Sequence, residues 1–136
     1  MKLALAATTA LLLTACSGGL KVVESDLQHH HWKLAAVDGV AVNADIQSEL
    51  EIGEHFSING QAGCNRFFGK ASLERGVLRA EPLASTQMAC APDAQKVETA
   101  VLNTLTRGAV VSHDGKQLEL KGEQHTLTYE LADWMQ

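Results

Sequence analysis

Aromatic residues make up only 4% of the 136-residue chain, and proline occurs twice. So few flat rings give no platform on which nucleic-acid bases could stack, and so little proline excludes a collagen-like or extended low-complexity chain. Positive charge is in the minority. Eleven Lys and Arg stand against sixteen Asp and Glu, for a net charge of −5, and no basic run occurs. Nothing here suits a phosphate backbone, so no nucleic-acid partner is expected. No apolar run reaches the roughly 20 residues that a membrane-spanning helix needs. The chain contains no GxSxG, HExxH, P-loop or dinucleotide fingerprint, and nothing orders its Ser, His and Asp residues into a triad. No catalytic residue and no cofactor is therefore expected. What remains is an ordinary globular composition, 46% hydrophobic and 20% charged, sized for one domain.

The beginning of the chain is of another kind. Lys2 precedes an apolar run from Leu3 to Ala15, broken only by Thr8, Thr9 and Thr14. It fits the apolar core of a secretory signal better than a membrane span. The run ends in Leu13-Thr14-Ala15-Cys16, followed by Ser17-Gly18-Gly19. This resembles the bacterial lipobox, which implies removal of residues 1–15 and acylation of Cys16. By the same resemblance, Ser17 in place of Asp after the cysteine implies delivery to the outer membrane, facing the periplasm. An ordinary secretory signal with an incidental cysteine is the competing reading. Several acyl chains on one residue make an effectively permanent anchor, since each buried methylene adds about 0.8 kcal/mol. The membrane is thus one expected partner. Residues 16–30, with two glycines and little apolar periodicity, read as the lipidated start and a tether.

From residue 31 to about 133 the pattern is mostly period two. Trp32, Leu34 and Ala36 alternate with Lys33 and Ala35 before Asp38-Gly39 turns the chain. Leu50 and Ile52, then Phe56 and Ile58, read as a hairpin around Gly53-Glu54-His55. Arg66–Leu73 and Val77–Ala80 read as a pair turning at Glu74-Arg75-Gly76, and Leu83–Met88 as a further short strand. Asp114-Gly115 and Gly122-Glu123 punctuate three more strands. One segment differs: Pro92 to Arg107 carries Ala94, Val97, Val101 and Leu105 at spacings of three and four, with Leu102 beside them. That is one apolar helical stripe, with Pro92 and Asp93 suited to its start and Gly108 to its end. The expected fold is α+β, mainly antiparallel β: a curled sheet or partial barrel of about seven or eight short strands, one end covered by the helix 92–107.

With Cys16 assigned to lipid, Cys64 and Cys90 remain. An even pair in an oxidising compartment is a disulfide candidate, while buried free thiols, a metal pair or a reactive thiol are the alternatives. Without CxxC spacing or a neighbouring histidine, the pair makes a poor zinc site.

The most distinctive segments are Gly63-Cys64-Asn65-Arg66-Phe67-Phe68-Gly69 and Ser85-Thr86-Gln87-Met88-Ala89-Cys90, with Glu98 on the following helix. Together with Trp32 near the start, they resemble the META-domain family, and within it the HslJ-type heat-inducible outer-membrane lipoproteins. The matching positions are Trp32, Gly63, Cys64, Asn65, Gly69, Thr86, Met88, Ala89, Cys90 and Glu98. The resemblance implies a small envelope lipoprotein connected with heat stress and antibiotic response, with no catalytic residues to carry over. It casts the matched residues in structural roles: glycines for backbone, cysteines for a bridge, Thr86 and Asn65 for turn hydrogen bonds, Glu98 for a backbone amide or Arg66.

The remaining polar groups offer weaker signals. His29-His30-His31 could bind a transition metal, with His55, His113 and His125 adding ligands if the fold gathers them. Neighbouring strand residues point to opposite faces, however, so a solvated tether is preferred and no metal is expected. Glu49, Glu51 and Glu54 read as a solvated face. The expected function is non-enzymatic, through binding of an envelope protein or ligand. One alternative is a periplasmic inhibitor of a lysozyme-like enzyme, which the acidic charge permits. Another is a histidine-based metal-dependent enzyme.

Overall fold

A computed structural model of the protein describes residues 21–132. Cys16, the expected lipid site, lies outside the described residues. A short helix α1 (Glu24–Leu27) leads into β1 (His30–Val37), β2 (Val40–Ala41), β3 (Glu49–Ile52) and β4 (Ser57–Gln61). There follow β5 (Arg66–Glu74), β6 (Val77–Ser85), α2 (Pro92–Arg107), β7 (Ala109–His113), β8 (Gln117–Lys121) and β9 (Thr126–Leu131). All pairings are antiparallel, in the order β2-β1-β3-β4-β5-β6-β7-β8-β9. β9 also pairs with β1, from Trp32↔Leu131 to Val37↔Leu127. The sheet is thus a closed barrel of eight strands with β2 as a side arm. β1 serves as the closing strand because it pairs with β3 through its first half, with β2 through its end, and with β9 along its other side.

The alternating apolar residues fill the interior, as an eight-stranded barrel of this size requires. Trp32, Leu50, Ile52, Leu78, Leu118, Leu120, Leu127 and Tyr129 are wholly buried; each large aliphatic side chain so buried contributes about 1.5–3 kcal/mol. The Trp32 ring meets the edges of His30 and His113 at centroid distances of 5.8 and 5.4 Å. Trp32 Nε1 and the Tyr129 hydroxyl are buried with no hydrogen-bond partner among the described residues, and burial raises the Tyr129 phenol above its usual titration range.

α2 lies across one end of the barrel and α1 across the other. α2 buries Glu98, Ala100, Val101, Thr104 and Leu105. This face is rotated from the predicted stripe: Ala94 and Val97 are only half-buried, while Glu98 and Thr104 take interior places. Both polar groups are accommodated by hydrogen bonds, Thr104 by donating its hydroxyl to the Ala100 carbonyl at 2.7 Å.

Three local expectations are corrected. Residues 22–30 are not a tether: Leu27 is wholly buried and Val22 packs against the core. The Val23 amide donates to the Asp26 carboxylate at 3.0 Å, closing the turn. Leu83–Met88 is not a separate strand. β6 runs through Pro82 to Ser85, and Glu81 and Pro82 together oppose Lys70, in the register shift between Gly69 and Ala71. A bulge of this kind tolerates a residue that has no N–H to donate. Finally, Phe56 belongs to a single 3-10 turn, Glu54–Phe56, rather than to a strand.

Candidate functional site

Seven of the singled-out residues converge beside the start of α2. The loop after β4 brings Gly63, Cys64 and Asn65 against the helix, and the loop after β6 lays Thr86, Met88 and Cys90 over them. Cys64 and Cys90 form a disulfide, their Cα atoms 5.9 Å apart. Asn65 is 4% exposed and Glu98 5%. The Asn65 Oδ1 accepts from the Thr86 hydroxyl at 2.9 Å and from the Met88 amide at 2.7 Å. Its Nδ2 donates to Glu98 Oε2 at 2.8 Å and to the Met88 carbonyl at 3.2 Å. Thr86 Oγ1 in turn accepts from the Arg66 amide at 3.0 Å.

Glu98 receives three N–H donors. Oε1 accepts from the backbone amides of Asn65 at 2.5 Å and Cys64 at 3.3 Å, and Oε2 from the Asn65 side chain. A carboxylate removed from water is expensive unless hydrogen-bonded, and charge-assisted N–H donors are the strong kind. Among the described residues no cation pairs with it; Arg66 is exposed and serves through its backbone alone. Gly63 permits this approach. A Cβ there would stand 2.8 Å from the Ala94 carbonyl oxygen and 3.1 Å from the Glu98 nitrogen, so any side chain would push the loop off the helix and stretch the bonds to Glu98.

Trp32 and Gly69 stand apart from this cluster. Trp32 fills the barrel interior. Gly69 sits opposite Leu83 on β5, where a Cβ would meet the Pro82 carbonyl oxygen at 2.8 Å. The arrangement is chemically closed. Both cysteines are spent in the disulfide, all four hydrogen-bonding positions of the Asn65 amide are occupied, and the Glu98 oxygens face donors. Among the described residues no group of three or more His, Cys, Asp or Glu is placed to hold a metal ion. His55 and His113 lie at the α1 end and His125 at the α2 end. His31 Nε2 lies 3.1 Å from the Glu49 carboxylate, which is therefore not simply solvated.

Two features had no signal in the sequence. One is the pair formed by Asp38 and His125, 87 residues apart, in which the carboxylate and Nδ1 lie 2.7 Å from each other. The Thr126 amide also donates to Asp38 at 2.8 Å. Together they fasten the β1–β2 turn to the start of β9. The His125 hydrogen bond, followed by that of Thr126, lowers the Asp38 pKa from its ordinary value of 3.8. A depressed carboxylate stabilises the fold above its unfolded pKa and loses that contribution as pH falls through the folded value. Asp38→Asn is accordingly expected to lower stability at neutral pH and to converge with the parent protein as pH falls through the depressed folded-state value, in thermal melts taken across pH. The other feature is a groove of about 430 Å³ beside this pair, lined by Val37, Lys96, Val97, Ala100 and His125. Val97, read from its spacing as core, forms part of its wall.

Residues 25–134 match the META domain. The chain belongs to the META-domain family. The matched residues run from α1 through the whole barrel and include the Asn65–Glu98 cluster. The META chain is also 38% identical over 138 residues to "Heat shock protein HslJ" of Escherichia coli (strain K12), covering 98% of each protein. A solved NMR structure 39% identical in sequence superposes with a TM-score of 0.75, covering 85% of this META chain and 99% of the other. A second NMR structure, of a protein from Burkholderia xenovorans, is 30% identical with a TM-score of 0.64, covering 79% and 85% respectively. This is a META-domain protein, mainly β, with α2 across one end of its barrel and the short α1 across the other.

Proposed function

We propose that this chain is an exported lipoprotein that works in heat and envelope stress, and in the response to antibiotics, by binding a partner rather than by catalysis. Residues 1–15 are removed, Cys16 is acylated, and the barrel faces the periplasm from the outer membrane. The leader and the Leu13-Thr14-Ala15-Cys16 sequence support the anchor, and the name of the Escherichia coli relative supports the link to heat. The observation that carries the choice of binding over catalysis is the saturation of the Asn65–Glu98 cluster: its most distinctive side chains are spent on one another. Surface for a partner lies nearby. Met88 is 61% exposed although its backbone is held on both sides by Asn65, and the groove beside α2 is walled by valines.

The anchor and the fold occupy separate segments, so Cys16→Ala should move the protein from membranes to the soluble periplasmic fraction while its melting curve stays unchanged. A strain lacking the protein should survive heat shock less well, with rescue by the parent chain and not by Cys16→Ala. A variant that stays with membranes through high-salt washing overturns the anchor, and full rescue by a released variant overturns the role assigned to it.

A further inference from the structure

The groove of about 430 Å³ lies between α2 and the strand ends at Val37 and His125, and its volume falls within the roughly 300–1,000 Å³ of small-molecule sites. Val97 and Ala100 form its helix wall, three residues apart and so on one face. α2 turns Glu98 toward the amides of Cys64 and Asn65, and the same roll leaves Val97 half-buried at the edge of the helix. Val37 forms the facing wall. Its cross-strand partner on β2 is Val40, and opposed side chains in such a pair stand side by side. Val40 is 71% exposed, so apolar surface continues past the groove. The facing wall is held in place. Asp38, next after Val37, lies 2.7 Å from His125 Nδ1 and accepts from the Thr126 amide at 2.8 Å. A ligand entering a wall already fixed has little ordering to impose.

Charge gives this groove a direction. The chain as a whole is acidic, at −5, yet among the described residues no carboxylate lines the groove. Its permanent charge is Lys96, which is exposed and makes no ion pair or hydrogen bond among the described residues. An ammonium is a compact charge with three donors, and this one stands beside walls of valine and alanine. Resting on the binding role proposed above, we infer that the groove is a site for a small amphipathic anion. An alkyl or aryl body lies against Val37, Val97 and Ala100, and a carboxylate head meets Lys96. The apolar walls supply affinity in proportion to the area they cover, and Lys96 selects the sign of the head. A cationic amphipath of the same length finds the same walls and a like charge at their edge.

The test titrates the isotope-labelled full chain, held in phosphatidylcholine nanodiscs, with sodium octanoate. Empty discs give the correction for ligand taken up by lipid. The amide signals of Val37, Lys96, Val97, Ala100 and His125 should shift and saturate together, while those of Arg75 and Gly115, at the α1 end, stay still. Affinity should rise by about two- to fourfold per methylene from hexanoate to decanoate, as more apolar area is covered. Octylammonium should bind about fivefold more weakly than octanoate. Lys96→Gln, an exposed change whose spectrum shows whether the fold is kept, should weaken octanoate by about two- to fivefold and leave octanol unchanged. Shifts that never saturate, or that spread evenly over the surface, overturn the site. Equal binding of octanoate and octylammonium, or no effect of Lys96→Gln on octanoate, overturns the anionic ligand. These outcomes leave the binding role standing; that role fails instead if a strain lacking the protein survives heat as well as its parent.

Discussion

Asn65→Ala is expected to destabilise the protein by about 2–4 kcal/mol, although the side chain it removes is small and lies outside the barrel's hydrophobic interior. The substitution deletes one donor to Glu98 and both partners of the Met88 backbone, and it frees the Thr86 hydroxyl. Leaving buried polar groups unpaired costs more than the hydrogen bonds themselves contribute. Chemical denaturation should show the loss as a lower midpoint with an unchanged slope. Asn65→Asp separates charge from shape. It sets a second carboxylate against Glu98, where the Asn65 nitrogen now stands 2.8 Å from Oε2, and like charges at that range oppose ionisation. The acidic groups of this variant are then harder to ionise in the folded state than in the unfolded one. Its deficit should grow as pH rises through the carboxylate range and shrink as pH falls. A destabilisation of Asn65→Ala below about 0.5 kcal/mol, the level of ordinary surface changes, would show that the cluster does not hold the loops.

The second large effect belongs to the bridge. Cys64 and Cys90 are 26 residues apart, and the bond closes a loop containing β5 and β6, the longest strands. On the chain-entropy estimate, opening it costs about 3.5 kcal/mol. At about 2–8 °C per kcal/mol for a domain of this size, the double replacement Cys64→Ala/Cys90→Ala should lower the melting temperature by about 7–28 °C. Reductant should produce a similar fall in the parent protein and none in the variant. Two free thiols in protein purified without reductant, or equal melting of the two forms, would remove the bridge from the account of stability.

The strand alternation from Trp32 to Tyr129 and the three-and-four spacing of α2 were legible because each is local: a strand repeats every two residues and this helix has an apolar face. Pro92, Arg107 and Gly108 even marked where α2 begins and ends. Closure of the sheet was not legible, because the pairing of Trp32 with Leu131 joins residues with no common pattern between them. The GCN and T-x-M-A-C segments could be recognised, yet nothing in their composition predicts that Asn65 holds Met88 through its backbone and leaves its side chain outside. Glu98 shows the limit most clearly. Its place on the helix was evident, but a glutamate facing inward contradicts hydrophobic patterning unless its donors are known, and those come from a loop 33 residues earlier. The Asp38–His125 pair was hidden for the same reason, since each residue alone resembles any exposed turn residue.

Closure of the barrel through β1 and β9 bears on what happens when the protein is warmed. An open sheet ends in strands whose free N–H and C=O groups can recruit another chain, and such edges seed aggregation. In this barrel each of the eight wall strands has neighbours on both sides, and the only strand of the sheet left with a single partner among the described residues is the two-residue β2. Fraying at one seam would expose the flanks of β1 and β9, but α1 and α2 still cover both ends. With β2 the only short edge left among the described residues of the folded barrel, the intact sheet presents no long template on which a neighbouring chain could add a strand.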